Sequence, residues 1–292
     1  MSRGPLRIAV LGHVDRPGAR RAAASLRTAL ERGGREVWLE EGFAAEMRRE
    51  GRPLAELAGW CQLLVTLGGD GTVLAGARAL AGRTGVLLGV NLGGLGFLAA
   101  AEAAELEPAV RAAIAGRWPI VRRRLVAATV MRRGRRVRHG LAMNDAVVKG
   151  AGGISAVHLG LSAVGQDLGH LVADGLIAAT ASGSTAYSLS AGGPVLAPDL
   201  EALVVTPVCA HSLGSRPLVL EPAGELVVRV IGSFDRVVLL LDGQESVALE
   251  TGDEVRVRLA RAAVRMYQNP RRPFPRALQS KLGWQGAATR SL

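Results

Sequence analysis

A carboxylate set among glycines, Leu67-Gly68-Gly69-Asp70-Gly71-Thr72, is the stretch of this chain best equipped for chemistry. The apolar run Leu63-Leu64-Val65-Thr66-Leu67 leads into it and reads as a buried strand. Val73, Leu74, Ala77 and Leu80 follow at helical spacing. The glycines therefore sit at a strand-to-helix junction. Glycine accepts positive φ and lets a backbone approach a ligand closely. The first turn of a helix offers unpaired N–H groups and the positive end of its dipole, a natural seat for phosphate. Gly68, Gly69, Gly71 and Thr72 are thus expected to form a phosphate loop. Asp70 repels phosphate, so its expected work is to help bind a metal or to take a proton from a hydroxyl. These residues pose a question of phosphoryl transfer.

Three further stretches are candidates for binding. In Met143-Asn144-Asp145-Ala146 an amide and a carboxylate stand side by side at the end of a β segment. Such a pair can grip the polar edges of a ribose or a base, and it is equally a common turn. Asp174-Gly175-Leu176-Ile177 precedes the dense block Thr180-Ala181-Ser182-Gly183-Ser184-Thr185-Ala186-Tyr187-Ser188-Leu189-Ser190-Ala191-Gly192-Gly193-Pro194. Hydroxyls and backbone N–H groups there can contact phosphates, and Tyr187 adds a flat face with a polar tip. Apolar residues at both ends of the block favour a binding loop over a flexible linker. Leu241-Asp242-Gly243-Gln244-Glu245 is first a hairpin signal, from which Gln244 can reach a ligand.

The five histidines are dispersed, without H-x-x-H or C-x-x-C spacing, so no resident metal site is expected. Magnesium carried by a nucleotide's phosphates would need few protein ligands. There is no Walker-type loop, no G-x-S-x-G elbow and no protein-kinase H-R-D set. The first strand ends in Gly12-His13-Val14-Asp15, not in G-x-G-x-x-G, which disfavours a dinucleotide-linked dehydrogenase.

The elements that must position these residues follow from periodicity. Strands are expected over Leu6 to Leu11, Glu36 to Leu39 and Val86 to Val90. Helices are expected over Pro17 to Arg32, Leu54 to Trp60 and about Ala103 to Ala115. Alternating β and α units argue for a parallel sheet covered by helices on both faces. A second glycine-rich loop, Asn91-Leu92-Gly93-Gly94-Leu95-Gly96-Phe97-Leu98, follows one of the strands. From Ile120 to Met266 the texture changes to short β segments: Val126 to Met131, Val137 to Ala142, Val157 to Leu161, Val204 to Pro207, Leu226 to Ile231, Val237 to Leu241 and Glu254 to Leu259. They suggest a β-rich, sandwich-like second domain. Arg132-Arg133-Gly134-Arg135-Arg136 reads as a solvated hairpin tip.

The 292 residues are 49% hydrophobic, enough for a sizeable core in one to two domains. The net charge of +11 is almost all arginine, since lysine occurs only at Lys149 and Lys281. That excess fits nucleic acid, an anionic membrane, phosphorylated small molecules or plain compositional bias, and does not choose among them. Cys61 and Cys209 border apolar runs and are expected to be buried thiols in a reducing compartment. With no signal peptide and no run of the roughly 20 apolar residues that span a bilayer, a soluble cytoplasmic protein is expected.

Together the motifs resemble one family. Gly68-Gly69-Asp70-Gly71-Thr72, Asn91-x-Gly93-x-x-Gly96-Phe97-Leu98, Asn144-Asp145 and Asp174 through Pro194 look like the bacterial NAD kinases. His211-Ser212-Leu213-x-x-Arg216-Pro217, Asp242-Gly243-Gln244 and Lys281-Leu282-Gly283-Trp284 extend the match over nearly the whole chain, in the family's order. The first motif alone is weak, because lipid kinases and phosphofructokinases carry similar loops; the block from Gly183 to Pro194 is highly specific. The resemblance implies transfer of a phosphoryl group from ATP, or from polyphosphate, to the 2′-hydroxyl of NAD's adenosine ribose, with Mg²⁺ and the glycine-loop N–H groups holding the phosphates. Asp70 would be the catalytic residue. Contacts to NAD would fall on Asp70, Gly71, Phe97, Asn144, Asp145, Asp174, Thr185, Ala186, Tyr187, Ser188, Leu189, Ser190 and Gln244. The implied fold is an α/β N-terminal domain with a parallel sheet, residues 1–118, which the tail 269–292 rejoins, plus an all-β, sandwich-like domain over 119–268. A homodimer or homotetramer is implied, with no nucleic-acid or membrane partner.

Three positions depart from the family pattern. Val172 replaces a basic residue, Asp145 stands where glutamate is more usual, and Ala181 replaces a proline, which should free its loop slightly. Two other classes compete. A lipid kinase would share the glycine loop but has no use for Asn144-Asp145 or the Tyr187 loop. A dinucleotide sensor or nucleic-acid binder would show salt-sensitive binding and no turnover.

Overall fold

The computed structural model describes residues 5–16, 18–94, 96–152, 156–212, 214–233 and 235–283. Pro17, Leu95, Leu213 and Trp284, each part of a stretch named above, lie outside them. The chain divides into two compact units. One comprises the described residues through Arg122 together with those from Val264 onward, and the other is Arg123–Ala263.

In the first unit β1 (Arg7–Gly12), α1 (Ala19–Arg32), β2 (Glu36–Leu39), α2 (Glu41–Glu46), α3 (Leu54–Trp60), β3 (Leu63–Gly68), α4 (Asp70–Leu80), β4 (Val86–Asn91), β5 (Ala101–Glu102) and α5 (Leu106–Ile114) follow one another. The strands pair in parallel in the order β2-β1-β3-β4-β5. Both β3 and β4 are buried at every residue, as a parallel strand covered on both faces requires. Helix α1 turns Ala19, Ala23, Leu26 and Leu30 inward along one stripe. That stripe joins Ile8, Val10, Leu63, Val65, Leu67 and Leu88, alternate positions of three strands, in one core. The opposite face of the sheet takes α4. A Cβ on Gly76 would stand 2.9 Å from Thr66 Cγ2 and 3.1 Å from Leu87 Cδ1, so only glycine lets this helix sit so close.

The second unit is antiparallel. It contains β6 (Ile120–Arg132, entering from the first unit), β7 (Arg135–Ala142), β8 (Asp145–Gly150), β9 (Val157–Ala163), β10 (Gln166–Ala173), β11 (Gly175–Ala179), the one-turn α6 (Tyr187–Ser190), β12 (Leu203–Val208), β13 (Leu218–Leu220), β14 (Glu225–Ser233), β15 (Val237–Leu241), β16 (Glu245–Leu249) and most of β17 (Glu254–Tyr267). A six-stranded sheet runs β13-β12-β11-β8-β15-β16. Against it lie β10, β9, β14 and β17, antiparallel in that order, and the β6–β7 hairpin. Leu226, Val228 and Val230 from one layer meet Val237, Leu239 and Leu241 from the other, the alternation of a sandwich core. The end of β17 belongs to the first unit, where Arg265 and Met266 pair in parallel with Val86 and Leu87. Tyr267 Oη then donates to Ala113 O (3.1 Å) and Asn269 Nδ2 to Ala100 O (3.1 Å), and the chain ends its described course in α7 (Phe274–Leu282).

Several elements differ from the periodicity reading. Helix α1 begins at Ala19 because Gly18, at φ 82°, still turns the chain. Helix α2 and strands β8, β10, β11, β13 and β16 were not foreseen, and β6 and β17 run well beyond the segments expected. The expected hairpin tip is present: Arg133 (φ 49°) and Gly134 (φ 75°) turn β6 into β7. Arg132 is not merely solvated, since its Nε and Nη2 donate to Asp253 at 2.9 and 2.8 Å. The expectation of two buried thiols is corrected at Cys209, which is exposed. Strand β12 ends at Val208, and Cys209 turns the chain away from the sheet with φ 48°. Cys61 is buried, and burial pushes its thiol up to about 11. No helix among the described residues is long and apolar enough to cross a membrane.

Candidate functional site

In the first unit the candidate residues gather at the C-terminal ends of β3 and β4. Gly69 is extended (φ −96°, ψ −171°) and caps α4, so Asp70 is the first helical residue. Thr72 N donates to Gly69 O (3.0 Å), closing the turn. The second glycine loop folds over the first. Leu92 N donates to Gly68 O (3.0 Å), while Asn91 binds its own loop through Gly93 N (2.8 Å) and Gly94 O (2.9 Å). The backbone N–H groups of Phe97 and Leu98 donate to the Asp70 carboxylate. A Cβ on Gly96 would stand 1.9 Å from Asp70 Oδ1, so the absence of a side chain at 96 leaves room for the acid. Burial raises the Asp70 pKa above the ordinary carboxylate value; the Phe97 N–H, the charge of Lys281 and the Leu98 N–H pull the other way. Asp70 Oδ1 and Thr72 Oγ1 are buried without a hydrogen-bond partner. A partly desolvated carboxylate with one oxygen unused is equipped to accept a proton or to meet a cation. Gly71 is exposed on the first turn, and Phe97 is half-buried.

In the second unit one corner holds Asn144 and Asp145. Here β7 passes into β8, and the backbone is clamped from two sides. Asp242, in the β15–β16 turn at φ 52°, accepts Met143 N (2.9 Å) on Oδ2 and Asn144 N (2.7 Å) and Asp145 N (3.3 Å) on Oδ1. From the other side Thr180 Oγ1 donates to Met143 O (2.8 Å), and Thr180 N donates to Asn144 O (2.8 Å). Gly183 N returns a bond to Thr180 Oγ1 (2.9 Å), and a Cβ on Gly183 would stand 2.1 Å from Asn144 O. Asn144 Oδ1 is buried and has no partner. Asn144, Asp145, Ala186, Tyr187 and Asp242 line a cleft of about 300 Å³.

Asp145 is 5% exposed. Burial first, and the charge of Asp242 second, push its pKa up to about 7. A carboxyl raised in the folded state holds its proton more tightly folded than unfolded. Its contribution to stability is whole below the ordinary aspartate range and is lost as the pH rises through about 7. Urea melts should therefore show the wild type losing stability relative to Asp145→Asn between acid and neutral pH; parallel curves would refute the assignment.

The remaining candidates fall at several places. Thr185 Oγ1 donates to Ser182 O (3.1 Å) in the turn before α6, and Tyr187 is 40% exposed. Ser188 is buried, its Oγ 2.8 Å from Thr206 Oγ1. Leu189 is half-buried, and Ser190 and Gln244 are exposed. Asp174 is not brought to the Asn144 corner: β11 pairs Ala179 with Asp145 but Gly175 with Lys149, so Asp174 stands at the strand's other end, beside Lys149. The loop in which Ala181 replaces proline is tied down by Ser184, whose Oγ donates to Ala181 O (2.7 Å) and accepts Leu196 N (2.9 Å). Sequence reading missed the clamps of Asp242 and Thr180, and it missed Gly96 as the residue that makes space for Asp70. The hairpin Asp-Gly was the one signal for Asp242. Among the described residues no three His, Cys, Asp or Glu side chains gather as a metal site.

Comparison with known proteins identifies the family of both units. The ATP-NAD kinase N-terminal domain matches residues 24–118, and the ATP-NAD kinase C-terminal domain matches residues 143–269. The NAD kinase of Geobacter metallireducens is 39% identical over 95% of this chain and 98% of its own length. That of Desulforamulus reducens is 40% identical over 81% and 82%. A yeast NADH kinase crystallised with NADH superposes with a TM-score of 0.90 at 26% identity, covering 100% of this chain and 91% of that one. An NAD kinase from Archaeoglobus fulgidus in complex with ATP gives 0.76 at 25% identity, over 95% and 98%. With both domain patterns matched in order and relatives aligned almost end to end, this chain belongs to the NAD kinase family.

Proposed function

We propose that this chain uses Asp70 to phosphorylate NAD at the 2′-hydroxyl of its adenosine ribose, with ATP as donor, giving NADP and ADP. The phosphorylation of NAD to NADP with ATP comes with the family. The assignment of roles rests on one observation: a buried, partnerless Asp70 Oδ1 set between two glycine loops. Asp70 orients the 2′-hydroxyl and accepts its proton. The ribose oxygen then bonds to the γ-phosphorus as the bridging oxygen–phosphorus bond breaks and ADP leaves. The loop of Gly68, Gly69, Gly71 and Thr72, at the start of α4, cradles the donor's phosphates. Phosphoryl transfer asks mainly for positioning and charge neutralisation, which one carboxylate and a cradle supply.

Thr72 Oγ1 is a hard oxygen of the kind magnesium takes, and it fits a Mg²⁺ that arrives on the phosphates. Bound there, the ion would neutralise the charge on the transferring group. Asn144 and Asp145 hold ribose hydroxyls, and Tyr187 stacks its ring on a base. Thr185, Ala186, Leu189, Ser190, Gln244, Gly71 and Phe97 add contacts to NAD, Asp174 meets a part of the dinucleotide away from the Asn144 corner, and Ser188, buried against Thr206, holds α6 to β12. A cytoplasmic location and a homodimeric or homotetrameric assembly belong to the same reading.

The test is a donor and acceptor panel on purified protein: ATP or inorganic polyphosphate against NAD, NADH or lipid vesicles, with Mg²⁺. NADP formation from NAD and ATP is expected; phosphorylation of a lipid and not of NAD would overturn the reading. Gly96→Ala is expected to lower kcat by about 100-fold, the scale on which an ångström of misplacement acts. An Ala variant of unchanged kcat would show that Asp70 does not need the space.

A further inference from the structure

We infer that Arg16 clamps the terminal phosphates of the donor; this rests on the phosphoryl-transfer reading above. The strand order β2-β1-β3-β4 means that the chain leaves β1 in one direction and returns to β3 on the other side. In open α/β sheets a ligand binds at such a switch point, outside the carboxyl ends of the two strands. The loop after β3 carries Gly69 and Asp70. The loop after β1 carries Arg16, whose backbone is fixed on both sides: its N–H donates to His13 O (3.1 Å), and its carbonyl accepts Ala19 N (3.1 Å). His13 N in turn donates to Leu67 O (3.0 Å), tying this loop to the end of β3.

The Arg16 guanidinium reaches over both glycine loops. A Cβ on Gly69 would stand 3.2 Å from its Nη2, and a Cβ on Gly93 would stand 3.7 Å from its Nη1. Bare backbone at 69 and 93 thus leaves room for a fork of N–H donors above the proposed phosphate cradle. The side chain is exposed and forms no ion pair with any described carboxylate, whereas Arg20 nearby is committed to Glu46 at 3.0 Å. Asp15 stands 3.9 Å from His13 Nδ1 instead. A planar, permanently charged fork held over the bare backbone of Gly69 and Gly93 is suited to two phosphate oxygens at once. Arg16 is a binding residue in this scheme, absent from the motifs that carry the family resemblance.

The experiment compares wild type, Arg16→Ala, Arg16→Lys and the α1 control Arg27→Ala, which loses an exposed pair with Glu31. Two readouts are needed: KM for ATP and for NAD, and calorimetric affinity for Mg·ATP without NAD. Arg16→Ala is expected to weaken both ATP measures at least about tenfold with KM for NAD within about twofold, since a lost charged hydrogen bond acts on that scale. Lysine should restore part of the loss, because it keeps the charge but not the fork, and Arg27→Ala should match wild type. An Arg16→Ala protein with unchanged ATP affinity, or with NAD affinity reduced equally, would overturn the proposal. If wild type bound Mg·ATP but formed no NADP, the reading of function would fail while the binding comparison still judged Arg16.

Discussion

Replacing Asp70 by asparagine should lower kcat by about 10³-fold while leaving KM for ATP and NAD within a few-fold, the signature of a lost general base. Asparagine has nearly the same shape. Its carbonyl oxygen can still accept the Phe97 and Leu98 N–H groups that hold the acid in place. What it cannot do is take a proton. Burial has already raised the Asp70 pKa, so the wild-type carboxylate is a better base than a solvated one and a costlier charge to keep. The variant should therefore melt no lower than wild type, and a slightly higher Tm is the expected direction. Steady-state kinetics and a thermal melt read both halves. Near-normal kcat would remove Asp70 from its role, and a collapsed Tm would turn the loss of activity into a folding effect.

The second large effect is expected at Asp242, which holds the Asn144 corner without being required to touch NAD. Its two oxygens accept three successive backbone N–H groups, at 2.9, 2.7 and 3.3 Å. Asp242→Ala leaves those donors without their acceptor. Hydrogen bonds to a charged group are worth about 1.5–3 kcal/mol each, and with partial relaxation a loss of about 3–5 kcal/mol in stability follows. Because the peptide planes of 143–145 aim the Asn144 and Asp145 side chains, KM for NAD should rise by about 100-fold where the variant still folds. Asp242→Asn is the sharper probe. It keeps one acceptor oxygen and removes the like charge that helps raise Asp145. The Asp145 pKa should then fall, moving the acid limb of kcat/KM for NAD to lower pH. A limb that stayed in place would show that Asp242 does not act on Asp145.

The residues of the first unit were legible because two signals coincide there. The run 63–67 is apolar at every second and every intervening position but one, and glycines follow immediately, so strand, loop and helix could be placed within a residue or two. The second unit was less readable. Strand β11 is only Gly-Leu-Ile-Ala-Ala, buried at every residue, and shows no alternation. Strand β8 opens on Asp145, part of an Asn-Asp pair whose local preference is a turn. Strand β10 carries a bulge between Asp167 and Gly169 that breaks its period. The Asp242 clamp reaches residues 97 to 99 positions earlier in the chain, a distance over which no local pattern carries information. The Asp-Gly hairpin was visible; what its carboxylate does was not. The exposure of Cys209 escaped for a related reason, since the strand ends one residue before it and a positive φ follows.

Proton acceptance by Asp70 is tested most directly by rapid-quench measurement of NADP formation in a single turnover. Wild type and Asp70→Asn would be compared at saturating ATP and NAD from roughly pH 5 to 9, which separates chemistry from binding and from product release. Saturation also removes the titration of Asp145 in the free protein from the profile. The expected result is an acid limb in wild type, displaced above the ordinary aspartate range, and a rate about 10³-fold lower and flat through that region in the variant. A variant within tenfold of wild type, or one that keeps the same acid limb, would contradict it.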